Sequence, residues 1–404
     1  MKGKIVQTAA RIKRIEEYPF PKLGAYKKDA VHALKEKGLS LIDLSIGDLN
    51  KATEDRIVKA AIDALGDSAN HHYPADYRGM PELRTLIAAW YLKRYGVKLN
   101  PDTEILVTPG AKDAITHLPL AVINDSEHVI VPNPCYPAYG PSVLLAGGHV
   151  THLPLHAGNG FLPDLDHLEK NILWGHAPTK MMILNYPNNP TGAMANSEFF
   201  EDVVGLAKRK RFMVSQDFCY GDIFSDEAPV SFLATPGAKD IGIEIHSFSK
   251  THCMTGWRVG MALGNSEMIA ALAKTLNNMN SGIFQVVQKA AIAAIKRGED
   301  DILIARGKIN RIVDERRELA LKMLSEMGIE ISPAPKATFY LWIPIASKES
   351  SWELATKIID ATGVVLTPGS FFGKKGEGYL RLALTSNHIK EALQRIQKSG
   401  LLHG

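Results

Sequence analysis

Lys250 lies in the stretch Ser247-Phe248-Ser249-Lys250-Thr251, with Arg258 eight residues further on and glycines at 256 and 260. Apolar runs flank it, Ile241 to Ile245 before and Val259 to Leu263 after, and both read as buried strands. A lysine just past a strand end, among hydroxyls and near an arginine, suits carbonyl chemistry. Desolvation and a neighbouring cation lower the pKa of such an amine, and its neutral form condenses with an aldehyde. The Ser247 and Ser249 hydroxyls and the Arg258 guanidinium can hold a phosphate through charge-assisted hydrogen bonds. A carbonyl and a phosphate on one ligand describe pyridoxal phosphate. The competing reading is a lysine and an arginine on a solvated loop, where most of both residue types are found.

Other stretches carry residue types that fit the same ligand. Glu104 to Thr108 reads as a strand and runs into Pro109-Gly110-Ala111-Lys112, a small-residue turn opening a helix. Free backbone N–H groups and the helix dipole face an anion at such a place, which makes Gly110, Ala111 and Lys112 phosphate candidates. An ordinary strand–helix turn has the same sequence. Tyr136, between Pro134 and Pro137, is a rigid flat surface that could stack on an aromatic ring or cap the core. Asn185-Tyr186-Pro187-Asn188-Asn189-Pro190-Thr191-Gly192 is by itself a tight turn. Here it falls between a strand, Lys180 to Leu184, and an amphipathic helix, Ser197 to Lys210, where a doubly wound sheet binds ligands. Asp217 ends the strand Phe212 to Gln216, with Tyr220 three residues on. A carboxylate there can keep a pyridine nitrogen protonated, or it can be solvated. Arg381 stands in an apolar run, Tyr379 to Leu384. A buried arginine must be paired, either with a protein carboxylate or with a substrate carboxylate held bidentately.

The elements that must position these residues set the broader frame. At 404 residues the chain is long enough for two domains, or for one large domain with an appendage. Its 45% hydrophobic and 22% charged content is that of a soluble globular protein, and a net charge of +4 gives little reason to expect nucleic acid or membrane as a partner. Cys135, Cys219 and Cys253 are too few and too far apart for a disulfide framework or a zinc site, which points to a reducing compartment. Adjacent side chains such as His71 and His72 diverge, so no metal is expected. Met1 to Arg14 has no apolar leader core, and no run of about 18 apolar residues occurs, so the expected location is cytoplasmic. Tyr18-Pro19-Phe20-Pro21 cannot be helix interior, and a helix is expected from Tyr26 to Lys37, closed by Gly38. A long helical region is expected from Val286 to Leu324, with Asp314 to Glu318 as a solvated face.

The Lys250 motif resembles the lysine signature of the fold-type-I pyridoxal-phosphate-dependent aminotransferases of class I and II. The Asn-Pro-Thr-Gly turn is similar to a second motif of that family, and the likeness runs from about Leu41 to the last helix. The wording at Ser249 to Arg258, Asn185 to Gly192, Pro335 to Tyr340 and Gly376 to Arg381 is nearest the LL-diaminopimelate and aspartate aminotransferase branch. The resemblance implies an α/β fold. A large domain at 46–295 would have a mostly parallel sheet flanked by helices. A smaller α+β domain would be built from 1–45 and 296–404. It implies that Lys250 carries pyridoxal 5'-phosphate, that Asp217 faces the ring nitrogen and that Tyr136 stacks on the ring. Asn189 and Tyr220 would reach the phenolic oxygen. Gly110, Ala111, Lys112, Ser247, Ser249 and Arg258 would surround the phosphate. Tyr73, with Tyr77 as the alternative, would cross a homodimer boundary to the neighbouring phosphate. Gly47, Asn189 and Arg381 would meet the substrate. The implied reaction is a ping-pong transfer of an amino group between an L-amino acid and a 2-oxo acid. Two departures fall where the substrate side chain should lie. Lys51 and missing prolines change the loop after Gly47-Asp48, and Tyr77 and Arg78 stand where an acid would read the distal ammonium of diaminopimelate. The alternatives are a β-lyase acting on a sulfur amino acid and a non-catalytic regulator that binds the cofactor.

Overall fold

The computed structural model describes residues 7–172, 178–296, 299–346 and 348–403. The first six residues of the N-terminal arm lie outside them. The strands are β1 (Ile42–Asp43), β2 (Ile105–Thr108), β3 (His128–Asn133), β4 (His149–Pro154), β5 (Thr179–Asn185), β6 (Met213–Asp217), β7 (Gly242–Ser247), β8 (Gly260–Gly264), β9 (Tyr340–Pro344), β10 (Val364–Val365), β11 (Thr367–Pro368) and β12 (Tyr379–Ala383). Seven form one sheet in the order β2-β8-β7-β6-β5-β3-β4. The strands from β4 across to β7 run parallel, and β8 runs antiparallel to both β7 and β2.

The central strands are buried because both sheet faces are covered. Every residue of β7 is buried. One face packs against Ile87, Tyr91, Phe200 and Val203. The other packs against Leu118, Tyr139, Ile269 and Leu272. With both faces of the sheet covered, the groups that can meet a ligand gather at the strands' carboxyl ends, where the loops begin.

A second, smaller assembly carries Arg381. β12 pairs antiparallel with β9 and β11, which sets Arg381 opposite Trp342 on one side and Thr367 on the other. β1 and β10 form a separate parallel pair. Leu44, Leu341, Ile358, Leu382 and Leu393 belong to its own apolar cluster.

Two local expectations change. The first long helix spans Phe20–Glu36 and so begins six residues before Tyr26. Pro21 sits in its first turn, where a missing N–H costs nothing. That earlier start carries Tyr18 and Phe20 to the site described below. The long helical region divides into Gln285–Ile295 and Glu299–Glu326, with 297–298 outside the described residues. The stretch from Asp314 to Glu318 is not a uniformly solvated face. Arg317 is buried and donates to the Thr338 carbonyl at 2.7 Å, tying this helix to the strand region behind it. Among the described residues, no helix is long and apolar enough to cross a membrane.

Candidate active site

The carboxyl ends of β5, β6 and β7 meet the Arg381 strand around a cavity of about 330 Å³. Lys250 enters it from one turn of helix, Phe248–Thr251, that follows directly on β7. Ser247 ends the strand and caps this turn, its Oγ accepting from the Ser249 N–H at 3.0 Å. The Lys250 ammonium donates to the Gly47 carbonyl and lies 5.7 Å from the Phe339 ring centroid. Gly47 cannot be another residue without displacing the site. A Cβ there would lie 1.8 Å from Tyr340 Oη. That same hydroxyl is 2.9 Å from Tyr220 Oη. Burial and the Tyr340 hydroxyl push the Tyr220 phenol well up, against a smaller downward pull from the Arg381 guanidinium. Tyr220 is therefore a neutral donor at any ordinary pH.

Asp217 is the last residue of β6 and is buried. Its Oδ2 accepts from the Tyr139 hydroxyl at 2.7 Å, and its Oδ1 from the Cys219 N–H at 3.2 Å. Burial raises its pKa, and the hydrogen bonds from Cys219 and Tyr139 oppose that rise. Both partners are neutral. A cationic ring nitrogen in the cavity would supply the counter-charge that these contacts do not. Tyr136 also lines the cavity and packs edge-on to Tyr139, with centroids 5.7 Å apart.

The opposite corner is cationic. Ala111 and Lys112 open the helix Ala111–Val122 and line the cavity with Ser247, Ser249 and Arg258. Burial and then the Arg258 charge pull the Lys112 ammonium below its ordinary pKa. Gly110 does not line the cavity but supports it. Its φ is +84°, and a Cβ would lie 2.5 Å from Arg258 Nη2, so only glycine lets the guanidinium rest there. Arg258 Nη1 donates to the Thr255 carbonyl at 2.9 Å. Two cations, two hydroxyls and a helix start make a site for a phosphate.

Arg381 is only 3% exposed. Nη1 donates to Asn189 Oδ1 at 2.7 Å, and Nη2 to the Ser45 carbonyl at 2.7 Å. The guanidinium also lies 4.1 Å from the Tyr340 ring centroid and 4.7 Å from that of Phe372. Among the described residues these partners are neutral, and Nε has no partner at all. A buried guanidinium without a carboxylate is an anion site aimed into the cavity.

Thus Gly47, Ala111, Lys112, Tyr136, Asn189, Asp217, Tyr220, Ser247, Ser249, Lys250, Arg258 and Arg381 all border one space. Tyr73 does not. It is 82% exposed on the surface. Sequence reading passed over Tyr18, Phe20, Tyr340 and Tyr139. Tyr139 could have been found, since it stands three residues after Tyr136 and opens the next helix, Tyr139–Leu145. Tyr18 contributes a hydroxyl 3.4 Å from that of Tyr136, and Lys112 Nζ lies 4.4 Å above its ring. Pyridoxal phosphate fits these groups. The lysine suits an aldehyde, the lone carboxylate a ring nitrogen, and the cationic corner a phosphate.

The sequence matches the aminotransferase class I and II family over residues 40–396. It is 44% identical over 374 residues to an LL-diaminopimelate aminotransferase of Dehalococcoides mccartyi, covering 92% of this chain and 94% of that one. An LL-diaminopimelate aminotransferase of Halothermothrix orenii is 40% identical, over 98% of this chain and 99% of its own. The substrate-bound structure of BacF from Bacillus subtilis has a TM-score of 0.91 at 32% identity and covers 99% of both chains.

Proposed function

The chain belongs to the class I and II aminotransferases and is a pyridoxal-phosphate-dependent enzyme, and from that premise we propose that it moves an amino group between LL-diaminopimelate and a 2-oxo acid in a ping-pong cycle. The near-full-length identity to enzymes of that name supports the substrate. The observation that carries the amino-acid chemistry is Arg381, a buried cation with neutral partners facing the same space as Lys250 and Asp217.

When bound, the cofactor supplies an electron-withdrawing ring conjugated to the substrate's α-carbon. The chain's own groups divide the remaining work. Lys250 Nζ would hold the cofactor aldehyde, and as a free amine it would take the α-proton as general base and return it. Asp217 keeps the ring nitrogen protonated, and Tyr139 holds that carboxylate in place. Asn189 and Tyr220 would donate toward the phenolic oxygen, and Tyr136 would cover the ring. Ala111, Lys112, Ser247, Ser249 and Arg258 would hold the phosphate, with Gly110 leaving room for the Arg258 guanidinium. Arg381 orients the substrate through its α-carboxylate, with Gly47 leaving room for it. We assign the large unit to 46–295 and the small unit to 1–45 with 296–404, supported by the seven-stranded sheet lying within the first and the three-stranded sheet within the second.

A panel of amino donors tests the substrate. LL-diaminopimelate with 2-oxoglutarate should yield glutamate at least about tenfold faster than aspartate or alanine does, a margin of only about 1.4 kcal/mol. Equal rates across the panel would refute the diaminopimelate assignment. A sulfur amino acid giving pyruvate, ammonia and a thiol without an oxo acid would move the reading to a β-lyase.

The proposed assembly is a homodimer with Tyr73 at the neighbouring phosphate, in the cytoplasm. Its support is that Tyr73, Ile62, Leu65 and Phe284 are large apolar or aromatic side chains left exposed on the chain. Sedimentation should give twice the 44.3 kDa chain mass, and a monomer with full activity would overturn the assignment of Tyr73.

A further inference from the structure

A buried carboxylate lies outside the cavity, behind the segment that carries Lys250. Asp222 is 0% exposed and follows Asp217 by five residues. Its Oδ2 accepts from the Thr251 hydroxyl at 3.0 Å and lies 3.9 Å from His246 Nε2. Its Oδ1 lies 3.7 Å from Arg94 Nε. His246 Nδ1 accepts from the Ser247 N–H at 2.8 Å, so the ring's proton is on Nε2, the side of Asp222. The imidazole is held edge-on by Trp90, Tyr91 and Phe218, at centroid distances of 5.1, 6.2 and 5.5 Å.

Asp222 thus meets the residue before Ser247 and the residue after Lys250. The helical turn between those two points has four residues, far too few to be stable on its own. Its orientation must come from contacts at its ends. Asp222 supplies them from the loop that follows Asp217 and bears Tyr220, so one carboxylate links the two halves of the site. We propose that Asp222 is a positioning residue, which sets the Lys250 amine and the Ser247 hydroxyl relative to Asp217 by acting through Thr251 and His246. The inference rests on reading the cavity as the cofactor site. Its rival is a purely structural ion pair between Asp222 and Arg94.

Thr251 separates the two. Thr251→Val keeps the side chain's shape and removes its hydroxyl, whereas Thr251→Ser keeps the hydroxyl. Rates are measured on the holoenzyme and divided by bound cofactor. Thr251→Val should lower kcat by roughly 10- to 100-fold, as small misplacements of a reacting group do, with KM for the amino donor within about threefold. Thr251→Ser should stay within about threefold of the parent in both. Cofactor release, followed by absorbance during dialysis against a scavenger, should speed up roughly tenfold in Thr251→Val and not in Thr251→Ser. Asp222→Asn should behave as Thr251→Val does. If Thr251→Val and Asp222→Asn melt earlier but keep the parental kcat per cofactor and release rate, Asp222 is structural and the proposal fails. It fails equally if Thr251→Ser loses as much as Thr251→Val. Lys250→Ala is the control. Turnover in that variant would mean that the reading of the cavity, rather than the role of Asp222, is wrong.

Discussion

Lys250→Ala should abolish transamination, with a fall of roughly 10⁴-fold or more in kcat, because the amine serves both as covalent anchor and as the base at the α-carbon. The two roles have separate readouts. Borohydride treatment of the parent, followed by peptide mass analysis, should place the cofactor on the peptide containing Lys250 and on no other. The variant should carry no such adduct. The fold should survive the change. Lys250 is half-buried, and its hydrogen bond inside the protein goes to a backbone carbonyl of a loop, Gly47. Losing one such bond costs about 1 to 3 kcal/mol. Most chains of this size tolerate that without unfolding at room temperature. An adduct on a different lysine, or a variant with more than about one hundredth of the parental kcat, would remove Lys250 from the reaction.

Most of this site could be read before the structure, for a physical reason. Lys250, Asp217 and Asn189 each follow an apolar run that is a central strand, and the end of such a strand is where its side chains leave the core. Arg381 was legible as a charge in an apolar strand, a placement that requires a partner. What the sequence did not reveal depends on packing between distant segments. Tyr18 and Phe20 reach the cavity only because the helix Phe20–Glu36 starts early and packs beneath Trp342, Phe371 and Phe372. Tyr340 is an ordinary strand residue until Gly47 is brought beneath its hydroxyl. β4 has no apolar run to mark it, since it lies at the sheet edge and Leu153 is its one buried residue. The same limit applies to Asp222. Nothing near it in the chain explains its burial, and its partners Thr251, His246 and Arg94 are all remote in sequence.

The second large effect is expected at Arg381. Arg381→Lys keeps the charge and much of the length but loses the planar fork that holds a carboxylate by two bonds. Removing one side of a buried, hydrogen-bonded charge pair costs about 2 to 5 kcal/mol. A loss near about 3 kcal/mol corresponds to a fall of roughly 150-fold in kcat/KM for the amino acid. Most of it should appear in KM, since the carboxylate is held in the bound state as well as during reaction. The 2-oxo acid carries the same carboxylate and should lose a similar factor. Part of any loss could come from the protein itself, because lysine would leave Asn189 Oδ1 or the Ser45 carbonyl without its donor. A substrate lacking the α-carboxylate removes that ambiguity. The parent should turn over the corresponding plain amine poorly, and Arg381→Lys should be no worse with it, within about threefold. The coupling between residue and carboxylate is then the difference of the two ratios. If the plain amine loses as much as the amino acid does, Arg381 supports the walls of the cavity without touching substrate. The buried guanidinium with its neutral partners would then not be a substrate site.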